Sequence, residues 1–71
     1  MKIIEQMERA WPDLLVFRRD CEKASSGAIT RKYLANLDSA GKGPAGKFKL
    51  NGKACYPAEN FFKWLETKVK E

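Results

Sequence analysis

The positive charge of this sequence is concentrated between Thr30 and Tyr56. That stretch holds six Lys and Arg residues and one acid, Asp38, and the difference equals the net charge of +5 of the 71-residue chain. The six cations are Arg31, Lys32, Lys42, Lys47, Lys49 and Lys53. Ammonium and guanidinium groups gathered in this way predict a surface that meets a polyanion. The alternative is a solvated basic face that keeps the protein soluble.

The first basic residues fall on a predicted helix that runs from its N-cap Thr30 to about Ala40. Helical spacing places Tyr33, Leu34 and Leu37 on the inward side. The outward side then carries Arg31, Lys32, Ala35 and Ser39, with Asn36 and Asp38 at the margins. Arg can bind guanine and Asn can bind adenine, Lys and Ser reach phosphates, and a small Ala lets the helix approach the floor of a DNA groove.

The remaining lysines lie in and before a predicted β-hairpin. Lys47-Phe48-Lys49-Leu50 alternates polar and apolar residues, Asn51-Gly52 is a strong signal for a two-residue turn, and Lys53 to Tyr56 forms the returning strand. Alternation predicts that Phe48 and Leu50 point into the core. Lys47, Lys49 and Lys53 would then lie together on the other face, toward solvent or a phosphate backbone.

A glycine-rich segment, residues 41–46, connects the helix to the hairpin. Its sequence GKGPAG breaks a helix and has no periodicity, so we predict a loop. A nucleotide-binding loop is disfavoured because the spacing matches neither GxxxxGK[ST] nor GxGxxG and no strand is predicted before it.

The segments before the basic stretch predict two short helices. Ile3, Ile4, Met7 and Trp11 recur at helical spacing over residues 2 to about 10, and Pro12 ends this helix. We expect the helix to pack on its own core, and a dimer contact is the alternative.

The run 14–17 is interpreted as a linker that enters the core, and Arg18–Ala24 as a second helix with Cys21 and Ala24 on one face. Residues 25–28 would form a turn in which Gly27 takes a positive φ.

A last helix is predicted to begin at Pro57, which suits a first helical turn. Its apolar face would hold Ala58, Phe61, Phe62, Leu65 and Val69, and its opposite face Lys63, Glu66 and Lys70. Stacking of single-stranded bases on the aromatic rings is an alternative, but the apolar stripe and neighbouring acids favour burial. RNA binding is disfavoured for a related reason, because the aromatic residues nearest the lysines are assigned to the core.

Composition argues against several function classes. The chain has no His, and Cys21 and Cys55 stand far apart without a CxxC partner, so Cys and His cannot form a four-ligand zinc site. We expect both to be small buried thiols in a reducing cytoplasm, and a single disulfide is the alternative. No nucleophile and base occur at a suggestive spacing, which predicts a protein that is not an enzyme and has no cofactor or metal. The chain has no apolar run that could span a membrane, and we expect a cytoplasmic protein.

The order of predicted elements is helix, glycine turn, helix, basic hairpin, helix. It predicts a winged helix-turn-helix in a single domain over residues 1–71, mainly α, with three to four short helices and a two-stranded wing. In such an arrangement the first helix of the motif supports the second across the major groove, and the hairpin lies over the flanking backbone.

The segment from Gly27 to Glu66 also resembles the small MerR-like winged-helix proteins grouped with excisionases and AlpA-type regulators of prophages and other mobile elements. The resemblance rests on the glycine turn, the helix LANLDS, the loop GKGP, a hairpin ending in Tyr56-Pro57 and a helix ending in Trp64-Leu65. It covers roughly residues 17–66, and residues 1–16 lie outside it.

The resemblance implies a bacterial or phage-encoded protein that binds double-stranded DNA to regulate transcription or direct recombination. Helix residues would enter the major groove and wing lysines would hold phosphates. The candidate DNA-binding residues are Thr30, Arg31, Lys32, Ala35, Asn36, Ser39, Lys42, Lys47, Lys49 and Lys53. A homodimer or cooperative multimer on DNA and a recombinase or other protein partner remain open. The alternative function is a protein-interaction module or antirepressor that uses a degenerate winged helix.

Overall fold

The computed structural model describes residues 3–69, which form four α-helices and one three-stranded antiparallel sheet. The helices are α1 (Ile3–Ala10), α2 (Cys21–Ala24), α3 (Arg31–Ser39) and α4 (Ala58–Glu66). The strands are β1 (Leu15–Phe17), β2 (Phe48–Leu50) and β3 (Lys53–Pro57), and a 3₁₀ turn at Arg18–Asp20 joins β1 to α2. The predicted mixture of short helices and a hairpin is confirmed. The predicted first helix began at Lys2 and the predicted last helix included Lys70, and both residues lie outside the described range.

The β2–β3 hairpin forms as predicted. Leu50 pairs with Lys53, and the two turn residues Asn51 and Gly52 have φ angles of 53° and 77°. Two successive positive φ angles define a type I′ turn, whose twist matches that of the flanking strands.

The interpretation of residues 14–17 as a linker was wrong, because Leu15 to Phe17 form a third strand. β1 pairs antiparallel with β3, so the strand order is β1-β3-β2. Val16 lies opposite Tyr56 and is fully buried, whereas Leu14 is 90% exposed. A short apolar run does not distinguish a strand from a linker until its partner is known.

The predicted turn between the second and third helices is confirmed, and it is tightly hydrogen-bonded. Ser26 and Gly27 both have positive φ angles, 57° and 87°. The buried Ser25 hydroxyl donates to the Cys21 carbonyl at 2.7 Å and accepts from the Ile29 amide at 2.9 Å. These bonds satisfy polar groups at the end of α2 and fix its connection to α3.

The loop between α3 and β2 is attached to the side of α4. Trp64 Nε1 donates to the Lys42 carbonyl at 2.9 Å, and Asn60 Nδ2 donates to the Ala45 carbonyl at 3.1 Å. Pro44 is buried. The loop therefore has a defined position, and it holds the start of the hairpin relative to the end of α3.

The core lies between the sheet and the helices. Its largest fully buried side chains include Val16, Leu34, Tyr56, Phe61 and Phe62. Burial of both phenylalanines confirms the prediction that the apolar stripe of the last helix faces the core. The first helix packs against this core, as predicted, through the partly buried residues Ile4 and Met7. Trp11, which lies just after the helix, also contacts the core.

Five apolar residues predicted to face the core are exposed instead, and one of them is Ile3 at the start of α1, which is 44% exposed. Phe48 and Leu50 pair with Cys55 and Lys53, so they share the sheet face opposite the one that carries Tyr56. The helices cover the Tyr56 face, which leaves Phe48 40% and Leu50 48% exposed. Tyr33 is 42% exposed, and Val69 is 48% exposed because it lies beyond the end of α4 at Glu66.

Cys21 and Cys55 are both buried and free, which confirms the prediction of buried thiols. Burial raises the pKa of the Cys21 thiol, which keeps it in the unreactive protonated form. Within residues 3–69, no helix combines the length and apolar character needed to cross a membrane.

Two matched leucine substitutions test this assignment of the core. Leu34→Ala removes a side chain with no exposed surface and should lower the free energy of unfolding by about 2–5 kcal/mol. Leu14→Ala changes a side chain that is 90% exposed and should alter it by less than about 0.5 kcal/mol. Urea denaturation followed by circular dichroism measures both, and equal losses would contradict the placement of α3 on the core.

Candidate functional site

The surface between α3 and the hairpin is a concave, positively charged cleft made of two adjoining depressions. Their volumes are about 300 and 310 Å³, and Arg18 and Ala54 line both. The first depression is also lined by Phe17, Arg19, Arg31 and Lys53. The second is also lined by Ala35, Asp38, Ser39, Lys47, Phe48 and Lys49. We call the two together the basic cleft.

α3 forms one wall of the basic cleft and presents most of its predicted outward residues to solvent. Ala35 and Ser39 line the second depression, and Arg31 lines the first. Lys32 and Asn36 are exposed but line neither depression. Their position on the open side of the same helix leaves them available to a ligand that covers the cleft.

Thr30 has a local structural role. Its Oγ1 accepts a hydrogen bond from the Tyr33 amide at 3.1 Å, which confirms the predicted N-cap. The residue is exposed, and it lies beside a different depression between α1, α4 and the α2–α3 turn. The structure therefore does not bring Thr30 together with the cleft residues.

The hairpin forms the opposite wall. Lys47 and Lys49 line the second depression, and Lys53 lines the first. The prediction that the hairpin lysines share one face was wrong, because Lys53 pairs with Leu50 and therefore lies on the sheet face opposite Lys49. All three lysines are exposed. Lys42 is also exposed but lies in the loop attached to α4 and lines neither depression.

Within residues 3–69, no ion pair joins a cation of the basic stretch to a carboxylate. The ion pairs between described residues are Arg18 with Asp38 and Arg19 with Asp20, and neither includes a cation from the stretch. The one acid of the stretch, Asp38, has a side chain only 5% exposed. The exposed carboxylate beside the cleft is Asp20, which pairs loosely with Arg19 at 3.8 Å and lines neither depression, so it reduces the positive field of the cleft only weakly.

Asp38 is held by a network that joins α3 to the sheet. Arg18 Nη2 donates to Asp38 Oδ2 at 2.6 Å, and the Tyr56 hydroxyl donates to the same oxygen. Arg18 Nε donates to the Tyr56 hydroxyl oxygen at 3.3 Å. Gly43 packs against the other carboxylate oxygen, since a Cβ at this position would collide with Asp38 Oδ1.

The network changes the acidity of its members. Burial and the hydrogen bond to Asp38 raise the pKa of Tyr56 to about 12, although the Arg18 hydrogen bond opposes this. The hydrogen bond with Tyr56 and the weaker effect of Asp38 raise the pKa of Arg18. Tyr56 is consequently a neutral donor, and Arg18 is a fixed cation, at every physiological pH.

Sequence reasoning missed Phe17, Arg18, Arg19, Phe48 and Ala54 as cleft residues. Arg18 and Arg19 belong to a flank whose charges balance in number, so the charge count did not single them out. Two adjacent arginines directly after an apolar run were the available signal. Phe48 was assigned to the core, but its exposed ring lines the second depression.

Comparisons with protein-family models, curated proteins and solved structures gave no match. The function is therefore inferred from the geometry and chemistry of the described residues.

Replacement of Asp38 should show how far the network stabilises the fold. Asp38→Asn leaves Arg18 without its charged partner and should lower the free energy of unfolding by about 3 kcal/mol. Asp20→Asn is the matched control, because its pair with Arg19 spans 3.8 Å between exposed side chains and should contribute less than about 1 kcal/mol. Equal effects in urea denaturation would show that the network does not stabilise the fold.

The pH dependence of the free energy of unfolding should show the raised pKa of the Tyr56 hydroxyl. Because its pKa is about 12 in the folded protein and about 10 when unfolded, the folded state retains a proton that the unfolded state releases. The resulting stabilisation is complete below about pH 10 and is lost as pH rises toward 12, by about 1.4 kcal/mol per pH unit. Tyr56→Phe should lack this dependence. The lysines are the same in both proteins, so the difference between the two free energies of unfolding, measured by urea denaturation, gives the contribution of Tyr56 alone. Parallel curves would contradict the assignment.

Proposed function

We propose that this protein is a small sequence-specific double-stranded DNA-binding protein. In this proposal α3 enters the major groove and the β2–β3 hairpin lies on the adjacent backbone as a wing. The observation that carries the proposal is the basic cleft itself. Its two walls are the predicted recognition helix and the predicted wing, and no exposed carboxylate of the described residues lines it.

The order and pairing of the elements support a winged helix-turn-helix of the MerR-like excisionase type. α2, a four-residue helix, is followed by a tight turn, α3, the hairpin and α4. β1 pairs with the outer side of the hairpin and so ties the wing to the segment that precedes α2. This arrangement gives the hairpin a fixed direction relative to α3.

The exposed face of α3 suits the major groove, which admits an α-helix and displays a distinct pattern for each base pair. Arg31 would bind guanine through two hydrogen bonds, and Asn36 would bind adenine. Lys32 and Ser39 would reach phosphates, and the small side chain of Ala35 lets the helix come close to the groove floor.

The hairpin is suited to backbone contacts. β2 has three residues and the turn has two, so the wing is too short to extend along a minor groove. In this proposal the ammonium groups of Lys47, Lys49 and Lys53 instead bind phosphates that flank the groove. Lys42 at the end of α3 would add a contact beyond the cleft.

The biological role that fits this unit is a transcriptional regulator or an excisionase-like recombination directionality factor in the cytoplasm of a bacterium. One α3 can read only a few base pairs. We therefore propose that specific sites are bound by a homodimer or a cooperative array, or together with a recombinase or another protein partner.

A second candidate function is a protein-interaction module or antirepressor. The observation that favours it is an open apolar depression of about 940 Å³ between α1, the α2–α3 turn and the end of α4. Three of its lining residues, Ile3, Tyr33 and Val69, are large and more than 40% exposed. This surface is separate from the basic cleft, and strong protein binding without preference among duplexes would support the alternative.

Substitutions in the two walls should have different effects on DNA binding. Lys49→Gln should weaken binding to all duplexes equally and reduce the salt dependence of the association constant by about one unit of slope. Arg31→Ala should cost about 1–3 kcal/mol on the preferred site and relax base preference there. Lys63→Gln is the control, since this lysine is exposed on α4 and lines neither depression.

Selection from a pool of random duplexes, followed by fluorescence anisotropy at several salt concentrations, measures both effects. Unchanged affinity and base preference in Arg31→Ala would exclude α3 as the recognition helix. An amide chemical-shift map provides an independent check, because shifts should fall on residues 30–39 and 47–53.

A further inference from the structure

The first depression of the basic cleft contains more positive charge than the proposed wing and recognition helix supply. Arg31 comes from α3 and Lys53 from the hairpin, but Arg18 and Arg19 come from the 3₁₀ turn after β1. Four cations from three separate elements therefore surround a space of about 300 Å³. Residues 1–29, which include Arg18 and Arg19, carry five cations and five acids, so the sequence shows no excess charge there and this concentration is a product of the fold.

The guanidinium of Arg18 is held in a fixed position by contacts within the protein itself. Its Nε and Nη2 atoms are occupied by Tyr56 and Asp38, while its side chain is still 29% exposed. The Nη1 atom has no hydrogen-bond partner among the described residues. A guanidinium held on two of its nitrogens loses little conformational freedom when the third binds a ligand.

Arg19 is also restrained, although more weakly. Its guanidinium carbon lies 5.4 Å from the centre of the Phe17 ring, which is within the range of a cation–π contact. Its pair with Asp20 spans 3.8 Å and is exposed, so a stronger anionic ligand can replace it at little cost. Phe17 itself lines the depression and forms an apolar side of the site.

We propose that this depression is a binding subsite for a single phosphate group, with Arg18, Arg19 and Lys53 as its ligands, while Arg31, which is assigned above to base reading, borders it. Arginine suits this ligand because its planar array of N–H groups matches phosphate oxygens. The inference rests on the proposed function, in which the phosphate belongs to the DNA backbone. A free phosphate or the phosphate of a small molecule has the same chemistry, and the experiment separates these sources.

The test compares four full-length proteins in binding to a random-sequence duplex: wild type, Arg19→Gln, Lys53→Gln and the double variant. Both side chains are exposed, so the substitutions should leave the fold intact. Each single substitution should weaken binding severalfold without changing base preference. Because both side chains bind one phosphate, the double variant should lose about 0.9 units of salt slope, the value for one phosphate on duplex DNA. Lys63→Gln removes one charge outside the cleft and should bind as wild type does.

A second measurement uses inorganic phosphate as the probe. Replacing chloride by phosphate at constant ionic strength should shift the side-chain Nε–H resonance of Arg19 and the amides of Arg31 and Lys53 in the wild type, and the double variant should lose these shifts.

The two measurements distinguish the subsite from the DNA-binding proposal. If wild type binds the duplex and Arg19→Gln behaves as Lys63→Gln does, the subsite is excluded and the proposed function stands. A double-variant loss of about 1.8 slope units would mean two separate phosphates and would also overturn a single subsite. If wild type fails to bind duplexes but shows the phosphate shifts, the subsite serves a free phosphate ligand and the proposed function fails.

Discussion

The hydrogen-bonded network of Arg18, Asp38 and Tyr56 fixes the geometry on which the rest of this structure depends. A carboxylate that is nearly buried is costly unless it is paired and its oxygens are bonded. Asp38 meets that condition with a guanidinium donor and a hydroxyl donor on the same oxygen. Its two partners come from the segment after β1 and from β3, so the cost of burial is offset only when α3 and the sheet are correctly docked.

This network explains how a short helix with a polar outer face keeps its position. α3 has nine residues, of which only Leu34 is buried. Asp38 follows Leu34 by four positions and therefore lies on the same face of the helix, one turn further on. One apolar anchor and one ionic anchor thus hold the two halves of α3. The opposite face makes no contact with the core and carries Lys32 and Asn36, while Arg31 lies at the edge of the inward face, beside the cleft.

The elements that the sequence predicted well are those determined by neighbouring residues. The Asn51-Gly52 turn and the Thr30 cap depend on backbone conformations that a few adjacent residues set. The features it did not predict depend on distant partners. Alternation in the hairpin shows that Phe48 and Leu50 share a face, but only the packing of the helices against Val16 and Tyr56 shows which face they cover. The Arg18–Asp38 hydrogen bond likewise joins residues 20 positions apart, so no local sequence pattern predicts it.

Turning Asp38 inward also changes the electrostatics of the surface. The stretch from Thr30 to Tyr56 contains one acid, which is bonded to Arg18, and within residues 3–69 no ion pair joins a cation of the stretch to a carboxylate. Like charges brought together repel one another and oppose folding. The same network limits this cost, because it attaches both walls of the basic cleft to the core while leaving the ammonium groups in water. Arg18 serves the two requirements together: it pairs with the buried acid and borders both depressions. The position of α3, the direction of the hairpin and the charge of the cleft are therefore consequences of one set of contacts.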